Sequence, residues 1–212
     1  MKEYFSQIEL KKEEKPKLLV QVCCAPDLVL PLLELKKYFK LYLYWYNPNI
    51  QPYSEYKRRY DEYVKLLQLE EGDYEILEDN YDNKEFYRKL FENRHIVGIE
   101  ENDYKTLMKE FSQMEEKNSK RCDICYYTRL LEPALLAKKH NIPYFTTTLL
   151  ISPKKSVEKL DKYGKIVTEK TGVKYLSFDF RKNDGFKKAA EYTKEHDIWR
   201  QNYCGCAWSI RG

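Results

Sequence analysis

The chain has 212 residues, 42% hydrophobic and 34% charged, with a formal net charge of +4. That balance suits a soluble globular protein of one domain and excludes a disordered chain or a strongly basic nucleic-acid arm, though a local basic face remains open. No run approaches the roughly 18–20 apolar residues that span a bilayer. The start, MKEYFSQIELKKEEKPK, has no apolar signal region. A cytoplasmic protein that meets no membrane and keeps its thiols reduced is expected.

Residues 1–16 are polar and charged and read as a short helix or a loose N-terminal arm. LLVQV, residues 18–22, reads as a buried strand that runs straight into Cys23, Cys24, Ala25, Pro26 and Asp27. The apolar LVLPLLELKKYF that follows reads as a helix, and Pro26 and Asp27 suit its first turn. LYLYW, residues 41–45, is a second strand, followed by the proline-rich loop NPNIQPY. SEYKRRYDEYVKLLQ has a helical period with Tyr56, Tyr60, Tyr63 and Leu67 on one side. A short strand is expected around Glu75–Leu77, and residues 83–118 read as a charged, interrupted helical insertion.

ICYYTRLLEPALLAKKHN reads as an amphipathic helix closed by Asn141, and YFTTTLL as a strand. The helix after it is expected to open with Ser152 as N-cap and Pro153 in its first position. VKYLSF is a further strand, GFKKAAEYTKEH a helix, and residues 198–212 a tail. Strands that alternate with helices predict a single α/β domain over 1–212, with a mostly parallel sheet covered on both faces. Ligands of such sheets bind beyond the carboxyl ends of the strands. Four loops carrying unusual residues are expected there: CCAPD, NPNIQPY, the Thr146–Thr148 run with Ser152, and Asp179 with Arg181.

The six cysteines fall into three tight pairs, Cys23–Cys24, Cys122–x–x–Cys125 and Cys204–x–Cys206. Adjacent and C-x-C pairs close strained rings, which argues against three disulfides. Buried inert thiols, a structural zinc site that leaves two thiols over, and an iron–sulfur cluster with a further thiol pair are the competing readings. Cys122 and Cys125, three residues apart near a helix start, share one face and lie near N–H groups that favour thiolate. Asp27 reads as a helix-capping carboxylate, or as an oxygen ligand or proton donor beside the metal. His95, His140 and His196 sit in charged helical surroundings and read as surface or capping residues. No Walker P-loop and no GxGxxG is present, so nucleotide hydrolysis and a bound nicotinamide have no support.

Taken together, CCAPD, RCDICYYTRL, FTTTLLISPKK, DFR and WRQNYCGCAWS resemble the cobalamin-independent epoxyqueuosine reductase family, QueH, across nearly the whole chain. The resemblance implies a Rossmann-like sheet of the HUP or PP-loop type, with a metal site at the carboxyl ends of its strands. It implies the last step of queuosine synthesis on transfer RNA, in which an epoxide on the modified base becomes an alkene at the cost of two electrons and two protons. It implies a 4Fe–4S cluster held by Cys23, Cys24, Cys122 and Cys125. Cys204 and Cys206 are then a redox-active dithiol or ligands of one additional iron ion, with Asp27 as ligand or proton donor.

An electron donor, not identified by the sequence, and a tRNA carrying epoxyqueuosine in its anticodon loop are the implied partners. Trp199, Tyr203 and Trp208 are candidates for base stacking, Lys154, Lys155, Arg181 and Arg200 for phosphate contact, and Thr147 and Thr148 for hydrogen bonds to substrate. A zinc-stabilised RNA-binding module and a thiol-dependent tRNA sulfur-transfer enzyme are the rival readings. The latter normally needs a phosphate-binding loop that this chain lacks.

Overall fold

Three buried runs, KLLVQV, KLYLYW and YFTT, form the centre of one sheet whose two faces are covered by helices, with the more exposed YEILE and KY at its edges. The computed structural model describes residues 15–78, 80–114 and 119–210. In chain order the strands are β1 (Lys17–Val22), β2 (Lys40–Trp45), β3 (Tyr74–Glu78), β4 (Tyr144–Thr147) and β5 (Lys174–Tyr175). All are parallel, in the order β3-β2-β1-β4-β5. The register pairs Val22 with Trp45 and Gln21 with Thr147, so the three central strands end level with one another.

The helices are α1 (Ala25–Leu35), α2 (Tyr53–Leu69), α3 (Asn83–Glu92), α4 (Tyr104–Gln113), α5 (Lys120–Lys139), α6 (Val157–Thr171) and α7 (Gly185–Glu195). α1 packs on α2 and α7, while α5 packs on α6 and against β1 and β4. The central core runs through Leu18, Leu19, Val22, Leu28, Leu43, Trp45, Tyr127, Leu130 and Phe145. A smaller apolar cluster of Phe86, Leu90, Leu107, Phe111 and Ile124 joins α3 and α4 to α5. The expected helical insertion at 83–118 is thus two helices joined by a short 3-10 turn at Asn93–Val97, with residues 115–118 outside the described residues. The expected arm lies outside them over 1–14.

Several boundaries differ from expectation. Thr147 ends β4, and Thr148–Ile151 winds into a 3-10 turn rather than continuing the strand. The next helix starts at Val157, not at Pro153, because Ser156 is the N-cap: its hydroxyl accepts from the Lys159 N–H at 3.2 Å. Ser152 instead closes the 3-10 turn, its N–H donating to Leu149 O. The helix carrying the C-x-x-C pair begins at Lys120, one turn earlier than expected, with Ser119 before it. VKYLSF contributes only Lys174–Tyr175 to the sheet, although Leu176 N–H still donates to Phe145 O. Asn141 closes α5 with φ of 53°, as the sequence implied.

Candidate active site

β1 and β4 are neighbours whose connections leave toward opposite faces, so a crevice opens at their carboxyl ends. A polar lock fixes its floor. Buried Gln21 donates through Nε2 to Val22 O and Tyr46 O, both at 3.0 Å, and accepts from the Thr147 hydroxyl at 2.7 Å. Thr147 is therefore committed to holding strands together and does not line the cavity above. Thr148, one residue on, accepts from Cys23 N–H and donates to Cys23 Sγ, each at 3.0 Å.

All six cysteines line one cavity of about 180 Å³. Cys23 and Cys24 form the step from β1 into α1, with Cys24 as N-cap in extended backbone. Their sulfurs are 3.8 Å apart, and Cys23 Sγ lies 3.1 Å from Asp27 Oδ2, one helical turn on. Ligand atoms of Cys23, Cys24 and Asp27 all lie within 4.8 Å of one another, the tightest donor group among the described residues. Cys122 and Cys125 come from the first two turns of α5. Cys204 and Cys206 come from the tail, which has no regular structure there beyond a 3-10 turn at Ala207–Ser209.

The tail is held by specific contacts. Arg59 of α2, 3% exposed, donates to Tyr203 O at 3.1 Å and Cys204 O at 3.2 Å, while its Nε pairs with Glu55 at 2.8 Å. Gln51 N–H donates to Gly205 O at 2.7 Å, and the Tyr203 hydroxyl donates to Gln51 O at 2.6 Å. Gly205 has φ of 104°, and a Cβ there would stand 2.9 Å from both Arg59 Nη1 and Ile50 Cγ1. Glycine is thus required twice over at the centre of the C-G-C pair.

Electrostatics separate the thiols. Lys155 Nζ lies 3.0 Å from Cys204 Sγ. A hydrogen bond from Cys206 and the Lys155 charge hold Cys204 well below the usual thiol range, against its burial. Cys206 is driven the other way, chiefly by that same hydrogen bond. Burial pushes Cys125 up to about 12 and also raises Cys23. Burial raises the Asp27 carboxyl too, partly offset by hydrogen bonds from Cys23 and Cys24. Six cations line the cavity (Arg59, Arg121, Arg129, Lys154, Lys155 and Arg200) against one carboxylate, Asp27.

Of the substrate candidates, Lys154, Lys155, Arg200, Tyr203 and Trp208 line the cavity, while Thr147 and Thr148 do not. Trp208 meets the Arg121 guanidinium at 4.8 Å and Tyr87 edge-on at 5.3 Å. Arg200 donates to Thr193 Oγ1 at 3.1 Å. Arg181 does not line the cavity; it pairs with Asp179 at 2.9 Å. Three of the four expected loops thus border the site, and the tail with the first turns of α5 takes the place of the fourth. Trp199 lies outside the lining, covered by Arg58 at 3.8 Å. The histidines stay away from it as well. His95 and His196 bond backbone carbonyls, and His140 caps α5.

Sequence reasoning missed a buried polar wall. Arg129, one turn after Cys125 on α5, donates to Asn47 Oδ1 at 2.7 Å, and Asn47 Nδ2 donates to Val22 O at 2.8 Å. Gln201 Nε2 lies 2.9 Å from Cys24 Sγ. Arg129 Nε, Asn49 Oδ1 and Gln201 Oε1 are buried atoms of cavity-lining residues with no hydrogen-bond partner among the described residues. Two of these residues fall in NPNIQPY and QNYCGCAW. Asn49 follows the end of β2, and Gln201 stands beside the last cysteine pair, so each amide adjoined a segment already marked for the site.

The fold and cavity define a parallel α/β protein whose thiols gather at the switch point of the sheet. A family model for epoxyqueuosine reductase QueH matches residues 18–212. Curated relatives carrying that same description include one from Thermotoga maritima, 34% identical over 198 residues, spanning 91% of this chain and 90% of the relative. Another, from Streptococcus pyogenes serotype M1, is 31% identical over 95% of this chain and 73% of its own length. A third, from Dehalococcoides mccartyi, is 30% identical over 92% of each. The chain belongs to the QueH family.

Membership implies a metal cofactor, and the donor set fits one. Soft thiolates with one carboxylate suit iron or zinc, and the surplus of cations offsets the negative charge such a set carries when deprotonated. No helix among the described residues is long and apolar enough to cross a membrane.

Proposed function

We propose that this protein reduces epoxyqueuosine in tRNA to queuosine in the cytoplasm. The observation that carries this reading, beside family membership, is the convergence of three separated cysteine pairs on one cation-lined cavity. Cys23, Cys24, Cys122 and Cys125 would hold a 4Fe–4S cluster, while Cys204 and Cys206 act as a dithiol or hold one further iron. When bound, the cluster supplies electrons one at a time to a deoxygenation that consumes two.

The chain's own groups do the rest. The epoxide takes up two electrons and two protons, both of its C–O bonds break, its oxygen leaves as water, and a new C=C bond forms in the ring. Asp27 would serve as an oxygen ligand or deliver a proton to the departing oxygen, a reading supported by its burial-raised carboxyl and its 3.1 Å contact with Cys23 Sγ. The hydrogen bond from Cys206, with the Lys155 charge, favours Cys204 as a thiolate, ready to ligate or to be oxidised. Lys154 and Arg200 lie at the cavity for phosphate oxygens, and Asn49 offers a buried acceptor for a substrate N–H or O–H.

Anaerobic purification should yield a brown protein containing iron and acid-labile sulfide. With a strong reductant, it should convert epoxyqueuosine-containing tRNA to queuosine-containing tRNA. A colourless preparation holding only stoichiometric zinc would overturn the redox reading. An intact cluster with no product would overturn the substrate.

A further inference from the structure

Beside the cavity stands an aromatic surface that neither the thiols nor the core explains. Tyr53, the first residue of α2, is 60% exposed, more than any other large hydrophobic side chain among the described residues. Its ring lies nearly parallel to that of Tyr56, with centroids 6.0 Å apart and planes at 21°. Tyr81 backs both, 5.4 Å from Tyr53 and 4.3 Å from Tyr56.

This cluster is tied to the cavity wall. The Tyr81 hydroxyl donates to Ile50 O at 2.7 Å, and Ile50 lines the cavity three residues before Tyr53. Tyr203, another lining residue, donates to Gln51 O at 2.6 Å. Tyr56 continues inward to Trp45 at 6.0 Å, which anchors the outer rings on the core. The result is an exposed aromatic face joined to the wall of a cation-lined cavity.

We propose that Tyr53, supported by Tyr56 and Tyr81, is a stacking platform for the single-stranded RNA nucleotide next to the one whose base enters the cavity. The inference rests on the tRNA reading above. A base can reach the recessed thiols only if it is splayed out of its own stack, which strips a neighbouring base of its partner. An aromatic face fixed beside the opening replaces that partner without regard to sequence. Lys154, exposed at this cavity, and half-buried Arg200 favour a polyanion as occupant over an ordinary protein surface.

The test uses the cluster-loaded protein and an anticodon stem–loop RNA with 2-aminopurine beside the target position. Tyr53→Ala should weaken RNA binding about 5- to 150-fold, the range for losing one base–aromatic stack. It should also abolish the fluorescence quenching of 2-aminopurine on binding and leave the cluster absorption unchanged. Tyr53→Phe and Tyr53→Trp should bind and quench like the parent.

Unchanged affinity and quenching in Tyr53→Ala would overturn the platform. So would an equal loss in Tyr53→Phe, since a hydroxyl contact and not a ring face would then be responsible. A protein electron donor on this face would appear as normal RNA binding with impaired reduction by that donor, which also overturns it. Parent protein that binds no RNA would sink the tRNA reading itself; parent binding with an indifferent Tyr53→Ala would sink the platform alone.

Discussion

Lys155 is the residue on which the chemistry of the tail depends. Burial works against its charge, but the Cys204 sulfur and the Tyr126 hydroxyl outweigh that and hold the ammonium above its usual range. In return the ammonium, with the Cys206 hydrogen bond, keeps Cys204 ionised. Removing the charge must move the thiol up, so less thiolate is present at neutral pH. In metal-free protein, Lys155→Met should slow alkylation of Cys204 by iodoacetamide at pH 7 by on the order of tenfold, and move the rate–pH profile to higher pH. An unmoved profile would leave Cys206 alone as the cause. At this scale the cysteines stood out in the sequence, because thiols at short spacing have few other uses, and of the C-terminal aromatics Tyr203 and Trp208 reach the cavity while Trp199 does not. Lys155 was legible only as a candidate for phosphate contact, since its place beside the thiol comes from a 3.0 Å contact with a residue 49 positions away.

At the scale of elements, the layer of α1, α2 and α7 is pinned by one carboxylate. Glu70, at the end of α2, accepts from Lys36 at 2.9 Å and from the Tyr192 hydroxyl at 2.7 Å. Burial alone would raise Glu70, but the hydrogen bonds from Lys36 and Tyr192, with the Lys36 charge, depress it below its ordinary 4.5. A carboxylate depressed in the folded state adds stability above its ordinary value and loses it as pH falls through the depressed one. The acid limb of a urea-unfolding series below pH 4.5 should therefore be shallower in Glu70→Gln. At neutral pH that variant should lose about 1 kcal/mol, modest because the ion pair is partly exposed. Helix and strand identities were readable from periodicity, but their ends were not. Ser152 and Ser156 are both good N-cap residues four positions apart. The choice went to Ser156 because the backbone at Thr148–Ile151 first turns to bring Thr148 onto Cys23.

At the scale of the whole molecule, the site is a closure between the sheet and a tail from the far end of the chain. That closure hangs on Arg59, which serves two carbonyls and a half-buried carboxylate partner at once. Arg59→Met strands Glu55 and both carbonyls, and should weaken tail attachment by roughly 3 kcal/mol. Limited proteolysis should then cut within residues 198–210 while the rest of the chain resists. Turnover should be lost with the cluster absorbance retained. Loss of the colour would instead make Cys204 and Cys206 primary ligands, against the division of the pairs proposed above.

The sequence by itself determined the alternation of strands and helices, and hence a parallel sheet whose carboxyl edge carries the first cysteine pair. It also determined the family, because the motifs keep their order along the chain. Only the tertiary structure decided that the tail and α5, rather than the Asp179–Arg181 loop, complete the cavity. It alone committed Thr147 to Gln21 and gathered six cations around the thiols. The physical reason is range. Periodicity and capping act within a few residues, whereas the site is made by contacts such as Arg59 with Cys204, 145 residues apart, which no local pattern encodes.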